Sequence, residues 1–269
     1  MPTEKRQRQK EGRAARQAAL QAYRRKAARR RQLITGVAVF AVVVLILVLL
    51  QRGKDNGQNV TAGSSTTAQG TTATTAAPAG KVGSSPCPPA DGSAPRKIAF
   101  DGEPSPCIDP AKTYTAKFET DVGTFTVALN AKQAPKTVNN FVFLTRYHFY
   151  DGVKFHRVIP GFVVQGGDAA KGDGTGDAGY KFADELPKSV DEYKAGSLAM
   201  ANSGPNTNGS QFFIVVSDAG GKQLQKPLYS LFGQVTEGLD VVQKIEADGT
   251  PQGQPKVLHQ MVKVTITET

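Results

Sequence analysis

Tryptophan is absent from the 269 residues, cysteine occurs only at positions 87 and 107, and three histidines are scattered along the chain. Two thiols, with no third and no histidine beside them, do not form the four-ligand set of a structural zinc site, and no metal or other cofactor is expected. Internal repeats are missing. So is net charge over most of the length. The formal +10 resides in residues 1–31, where twelve Lys/Arg face only Glu4 and Glu11, leaving 21 basic and 21 acidic residues after Arg31. The basic tail is therefore read as a topology determinant that also touches anionic lipid headgroups, and no nucleic-acid partner is expected.

Residues 33–50 contain no charge at all. A run of roughly 18 apolar residues is near the lower limit for spanning a bilayer as a helix. It has no polar stripe, unlike a core helix, and no small-residue cleavage site, unlike a signal peptide. The expectation is a basic cytoplasmic tail (1–32), a single transmembrane signal-anchor helix (33–50) and an extracytoplasmic remainder, since the strongly basic flank stays inside. Residues 51–107 then read as a linker. As far as Pro86 it is Thr, Ala, Gly and Ser with few large side chains, too little apolar surface to offset ordering entropy, so disorder is expected. Cys87 and Cys107 sit beside prolines at its end. On the oxidising side of a membrane such an isolated pair is bridged more often than free, and a disulfide is expected over two unpaired thiols.

The folded domain is expected over 108–269. Residues 114–119 and 124–129 alternate in β fashion about a turn at Thr120–Gly123 and predict a hairpin. Pro135 opens a helix with Val138, Phe141 and Val142 on one face. Further strands are predicted at 154–158, 163–165, 197–200, 211–216 and 229–234, a second helix at 239–245, and a closing strand through Val262, Val264 and Ile266. Many short strands with two helices and no repeating βαβ unit predict a mainly β fold, a closed antiparallel barrel capped by two helices.

Two stretches carry the chemistry. One runs Phe155-His156-Arg157-Val158-Ile159-Pro160-Gly161-Phe162-Val163-Val164-Gln165-Gly166-Gly167-Asp168; the other runs from Met200-Ala201-Asn202 to Gln211-Phe212-Phe213-Ile214. Each sets a few polar groups among apolar and aromatic residues, which describes a small apolar pocket with aimed hydrogen-bond donors. Neither contains a usual nucleophile, acid–base pair or metal cluster, so chemistry there must polarise and hold a substrate. Gly174-Thr175-Gly176-Asp177-Ala178-Gly179 fits a dinucleotide-binding pattern, but no apolar periodic helix follows it, and it reads as a flexible glycine loop.

These two stretches resemble the defining segments of the cyclophilin family of peptidyl-prolyl cis-trans isomerases, here in a membrane-anchored bacterial form, with similarity over most of residues 114–269. The resemblance implies an eight-stranded barrel and an isomerase (rotamase) acting on X–Pro bonds of proteins, assisting folding outside the cytoplasm. It assigns catalysis to Arg157, Gln165 and Phe213, and substrate binding to Phe162, Val163, Ala201, Asn202, Gln211, Leu228 and Tyr229. The alternative is a scaffold that grips proline segments with little turnover. Partners are then proline-containing chains, with membrane lipid through the anchor; the sequence sets no oligomeric state. His156 is read as a satisfied structural histidine turned away from Arg157 by strand alternation. Many family members carry a tryptophan where this chain has residues 220–229, with Leu224 and Leu228 as apolar substitutes. Isomerase activity with weakened cyclosporin binding is the implied consequence.

Overall fold

The computed structural model describes residues 81–269; the basic tail, the apolar run 33–50 and the linker up to residue 80 lie outside the described residues. Nine antiparallel strands form one sheet. They are β1 (Tyr114–Thr120), β2 (Gly123–Leu129), β3 (Val153–Lys154), β4 (Arg157–Ile159), β5 (Val163–Gly166), β6 (Ser197–Met200), β7 (Phe212–Val215), β8 (Leu231–Glu237) and β9 (Gln260–Glu268). Their order is β3-β9-β1-β2-β8-β6-β7-β5-β4. The helices are α1 (Pro135–Arg146), α2 (Asp218–Gln223) and α3 (Leu239–Ala247), with a 3₁₀ turn at Val190–Glu192.

The closed eight-stranded barrel capped by two helices is corrected to an open, curved half-barrel of nine strands. The sequence reads 154–158 as one strand. The structure divides it at Phe155-His156 into β3, which pairs only with β9, and β4, which pairs only with β5. One unbroken strand would have bonded to both neighbours and closed the ring. Instead the outer edge of β4 is met by the segment after α3: Thr250 N–H donates to the Val158 carbonyl (3.1 Å) and Val158 N–H to that of Gly253 (2.8 Å).

Side chains alternate across the strands as the pleat requires. From β5 to β8, Val164, Leu198, Met200, Phe212, Ile214 and Phe232 enter the main core, whereas Val163, Ala199, Phe213, Val215 and Leu231 form a second cluster on the other face. The main core is aromatic. Phe118 and Phe125 stack at 4.5 Å across the β1–β2 hairpin, and Phe141 of α1 lies 5.9 Å from Phe212 and 5.4 Å from Phe232. Each such ring taken from water contributes roughly 1.5–3 kcal/mol.

Helix α1 is buried on every side from Thr137 to Arg146, because residues 81–107 cover the side the sheet leaves open. Phe100 packs on Phe143 (5.0 Å), Tyr147 and Tyr180, Cys87 and Cys107 are joined by a disulfide, and the Cys107 N–H donates to Asn139 Oδ1 (2.7 Å). The disorder expected as far as Pro86 is thus corrected over residues 81–86, which pair with Glu103 and receive the Tyr147 hydroxyl at the Pro86 carbonyl (2.9 Å). The expected transmembrane helix at 33–50 falls on residues the structure does not describe. Among the described residues no helix is long and apolar enough to cross a membrane. The single-pass topology, the extracytoplasmic location and the lipid partner that rested on it have no support.

Candidate active site

The register of the sheet brings distant residues into one row. Arg157 on β4 is the cross-strand partner of Gln165 on β5, Gln165 of Phe213 on β7, and Phe213 of Ala199 on β6. Directly opposed residues in a sheet present their side chains on the same face, so the three assigned catalytic residues stand side by side on the face away from α1.

Their polar groups form a relay of fixed direction. Gln211 Nε2 donates to the carbonyls of Gly174 (2.9 Å) and Gly176 (2.8 Å). Its Oε1 is thereby turned to accept from Gln165 Nε2 (3.2 Å), and Gln165 Oε1 in turn accepts from Arg157 Nη1 (3.0 Å). The guanidinium lies over the Phe162 ring, 5.9 Å from its centroid, a cation–π arrangement that steadies its plane. The glycine loop that sets this orientation is tied to a single carboxylate. Its Lys171, Gly174 and Gly176 N–H groups converge on the Asp168 carboxylate at 2.9–3.0 Å. Burial would raise the Asp168 pKa, but these N–H donors outweigh it and hold the carboxyl below its ordinary value.

Beside the row lies a hollow of about 170 Å³, lined by Phe162, Val163, Phe213, Ala201, Leu224 and Tyr229 together with Arg157, Gln165 and Asn202. The Tyr229 ring meets Phe213 edge-on at 5.3 Å. Tyr193, buried beneath, fixes Tyr229 from both ends: its hydroxyl donates to the Tyr229 carbonyl (2.6 Å) and accepts from the Tyr229 N–H (3.1 Å). Burial pushes the Tyr193 pKa up to about 12, so the hydroxyl keeps its proton.

Most of the assigned residues therefore meet. Two do not line the hollow. Leu228 is half exposed, and Leu224 takes the wall instead; Gln211 acts through Gln165. Asn202 lines the hollow, but its Nδ2 is committed to the Leu228 carbonyl (2.9 Å), tying down the loop. The reading of His156 as satisfied and turned away is corrected. It falls in the break between β3 and β4, where alternation stops, and with Arg157, Asp173 and Gln252 it lines a second hollow of about 540 Å³. Both of its ring nitrogens are buried without a partner, and burial lowers its pKa. Sequence reasoning missed Tyr193, although Ser189 and Glu192 form a capping box with the Ser-x-x-Glu signature and place it. It also missed Gly253, which no local pattern marks.

Residues 115–269 match the family described as cyclophilin type peptidyl-prolyl cis-trans isomerase. A peptidyl-prolyl cis-trans isomerase of Arabidopsis thaliana is 41% identical over 155 residues, covering 54% of this chain and 90% of the relative. A probable peptidyl-prolyl cis-trans isomerase A of Mycobacterium bovis is 39% identical over 176 residues, 58% of this chain and 94% of the relative. A crystal structure of a Cryptosporidium parvum cyclophilin type isomerase superposes with a TM-score of 0.53 at 31% identity, covering 58% of this chain and 99% of that one. These relatives span plant, bacterium and protozoan, and the family match covers residues 115–269. The anchored bacterial form is corrected accordingly to the isomerase domain itself.

Proposed function

Since this chain belongs to the cyclophilin-type peptidyl-prolyl cis-trans isomerases and catalyses rotation about X–Pro peptide bonds, we propose that it does so by aiming Arg157 at the prolyl nitrogen of a substrate held in the hollow beside it. The reaction is slow unaided because twisting the bond breaks amide resonance, a barrier of about 18–20 kcal/mol. At the twisted point the nitrogen regains its lone pair and accepts a hydrogen bond that the planar amide nitrogen scarcely accepts. A fixed cation at that nitrogen binds the transition state more tightly than either ground state, which is the condition for acceleration.

The observation that carries this reading is the relay from Gly174 and Gly176 through Gln211 and Gln165 to Arg157. Arginine keeps its charge at any working pH, and its planar fork spends one N–H on Gln165 while the others remain for substrate. Phe162, Val163 and Phe213 supply the apolar socket for the proline ring, and Gln165 with the backbone at Ala201 and Asn202 holds the flanking peptide. No proton is transferred and no covalent intermediate forms. Folding chains with exposed X–Pro bonds are the substrate class.

The test is isomerisation of a short X–Pro peptide by the full chain and by Arg157→Ala. A fall in kcat/KM of roughly a hundredfold, about 2.7 kcal/mol of transition-state stabilisation, is expected. Undiminished turnover in a folded Arg157→Ala protein would remove the cation from the mechanism.

A further inference from the structure

The segment between α3 and β9 wraps the strand that carries Arg157. It occupies both outward backbone groups of Val158, through Thr250 N–H (3.1 Å) and the Gly253 carbonyl (2.8 Å). Gly253, at φ +91°, lies against the Arg157 side chain, so that a Cβ there would come within 3.2 Å of Arg157 Cγ. The root of the segment is closed by Lys256 N–H donating to the Asp248 carbonyl (2.7 Å) and by one side chain, His259.

His259 is 5% exposed and has a carboxylate on each ring nitrogen: Asp121 at Nδ1 (2.9 Å) and Asp248 at Nε2 (3.0 Å). Carboxylates only accept, and imidazole offers two N–H donors only when protonated. The charged groups facing the ring are Asp121, from the β1–β2 turn, and Asp248, from the segment itself. The link between β3 and β4 contributes backbone alone, Phe155 N–H donating to the His259 carbonyl (2.9 Å).

We propose that His259 is a positioning residue for Arg157: as an imidazolium clamped between Asp121 and Asp248, it fixes residues 248–258 against β4 and so holds the guanidinium where the isomerisation needs it. The inference rests on the role given above to Arg157. Burial alone would lower the His259 pKa; the hydrogen bonds to Asp248 and Asp121, and their charges, outweigh it and hold the value above that of an ordinary histidine. The clamp is therefore complete below ~6.5, the unfolded-chain value, and is lost as pH rises through the raised folded value. There a bare ring nitrogen faces a carboxylate, and one side opens. Burial lowers the pKa of His156, the histidine next to Arg157, so its protonation change is displaced away from the alkaline arm. Isomerisation moves no proton of its own, so a loss of rate above neutrality reports the clamp.

The experiment is kcat/KM for an X–Pro peptide from about pH 6 to 9, at constant ionic strength, with the full chain and with His259→Gln, Asp248→Asn, Asp121→Asn and Arg157→Ala. The wild type should lose activity several-fold as pH rises. His259→Gln, which hydrogen-bonds but never charges, should run flat at the lower level; Asp248→Asn, whose amide can pair with the neutral ring, should also run flat. Asp121→Asn, whose amide can donate to the bare nitrogen of neutral His259, should lose the decline at high pH. A flat wild-type profile, which requires no variant to fold, overturns the proposal, as does a His259→Gln profile that still slopes like the wild type. If Arg157→Ala is inactive while the wild-type profile is flat, only the role of His259 fails. If Arg157→Ala stays active, the role of Arg157 fails first.

Discussion

Phe212 and Phe213 are neighbours in sequence, sit on the same strand, and belong to different parts of the protein. Phe212 enters the aromatic core with Phe118, Phe141 and Tyr150, and Phe213 lines the hollow on the other face with Val163 and Tyr229. The inner face of the sheet is thick, closed by α1 and packed ring on ring. The outer face is a thin cluster with polar groups set at its rim. One sheet thus separates stability from chemistry by the direction in which alternate residues point.

The sharpest way to break that comparison is to truncate both rings. Phe212→Ala should cost about 3–5 kcal/mol of stability, as buried aromatic truncations do, and its activity loss should follow the unfolded fraction. Phe213→Ala should cost distinctly less stability while lowering kcat/KM in protein that remains folded. Paired denaturant melts and rates measure both, and equal stability losses would erase the distinction. A smaller effect sharpens the inner side. Reducing the Cys87–Cys107 bridge, which closes a separation of 20 residues, should lower stability by roughly 3 kcal/mol in the chain-entropy model, with the turnover of folded protein unchanged. A parallel loss of turnover would mean that the covering of α1 reaches the site. The smallest effect probes the relay on the outer side. Gln211→Ala frees Gln165 without touching the socket, and should lower kcat/KM about tenfold, or about 1.4 kcal/mol, with the melting curve little changed.

The outer face was largely legible in the sequence because its residues cluster in two short stretches whose composition already describes a pocket. The family resemblance, not composition, singles out Arg157, Gln165 and Phe213 there, and only pairing of β4, β5 and β7 puts them in one row. Residues that act from a distance were not legible. Tyr193 reaches Tyr229 across 36 positions, and His259 reaches Asp121 across 138. The barrel count failed at one dipeptide. Nothing in the composition of Phe155-His156 marks a break, since the break is set by what lies across from it, β9 on one side and the 250–253 segment on the other. The Cys87–Cys107 bridge was legible from two isolated cysteines beside prolines, but the anchoring of Phe100 on Phe143, 43 positions away, was not.

The Cys87–Cys107 bridge also decides how the domain would carry a load. Tension applied to the chain before Lys81 first meets the short pairing of Val82 with Glu103 and then reaches Cys87. There the covalent route leads straight to Cys107 and on toward β1, bypassing everything from Pro88 to Pro106. Phe100 and Ala94, which seal α1, sit inside that bypassed loop. A pull strong enough to peel away residues 81–86 would break their bonds to Lys97, Asp101, Glu103 and Tyr147, yet would put no tension on the loop that holds Phe100.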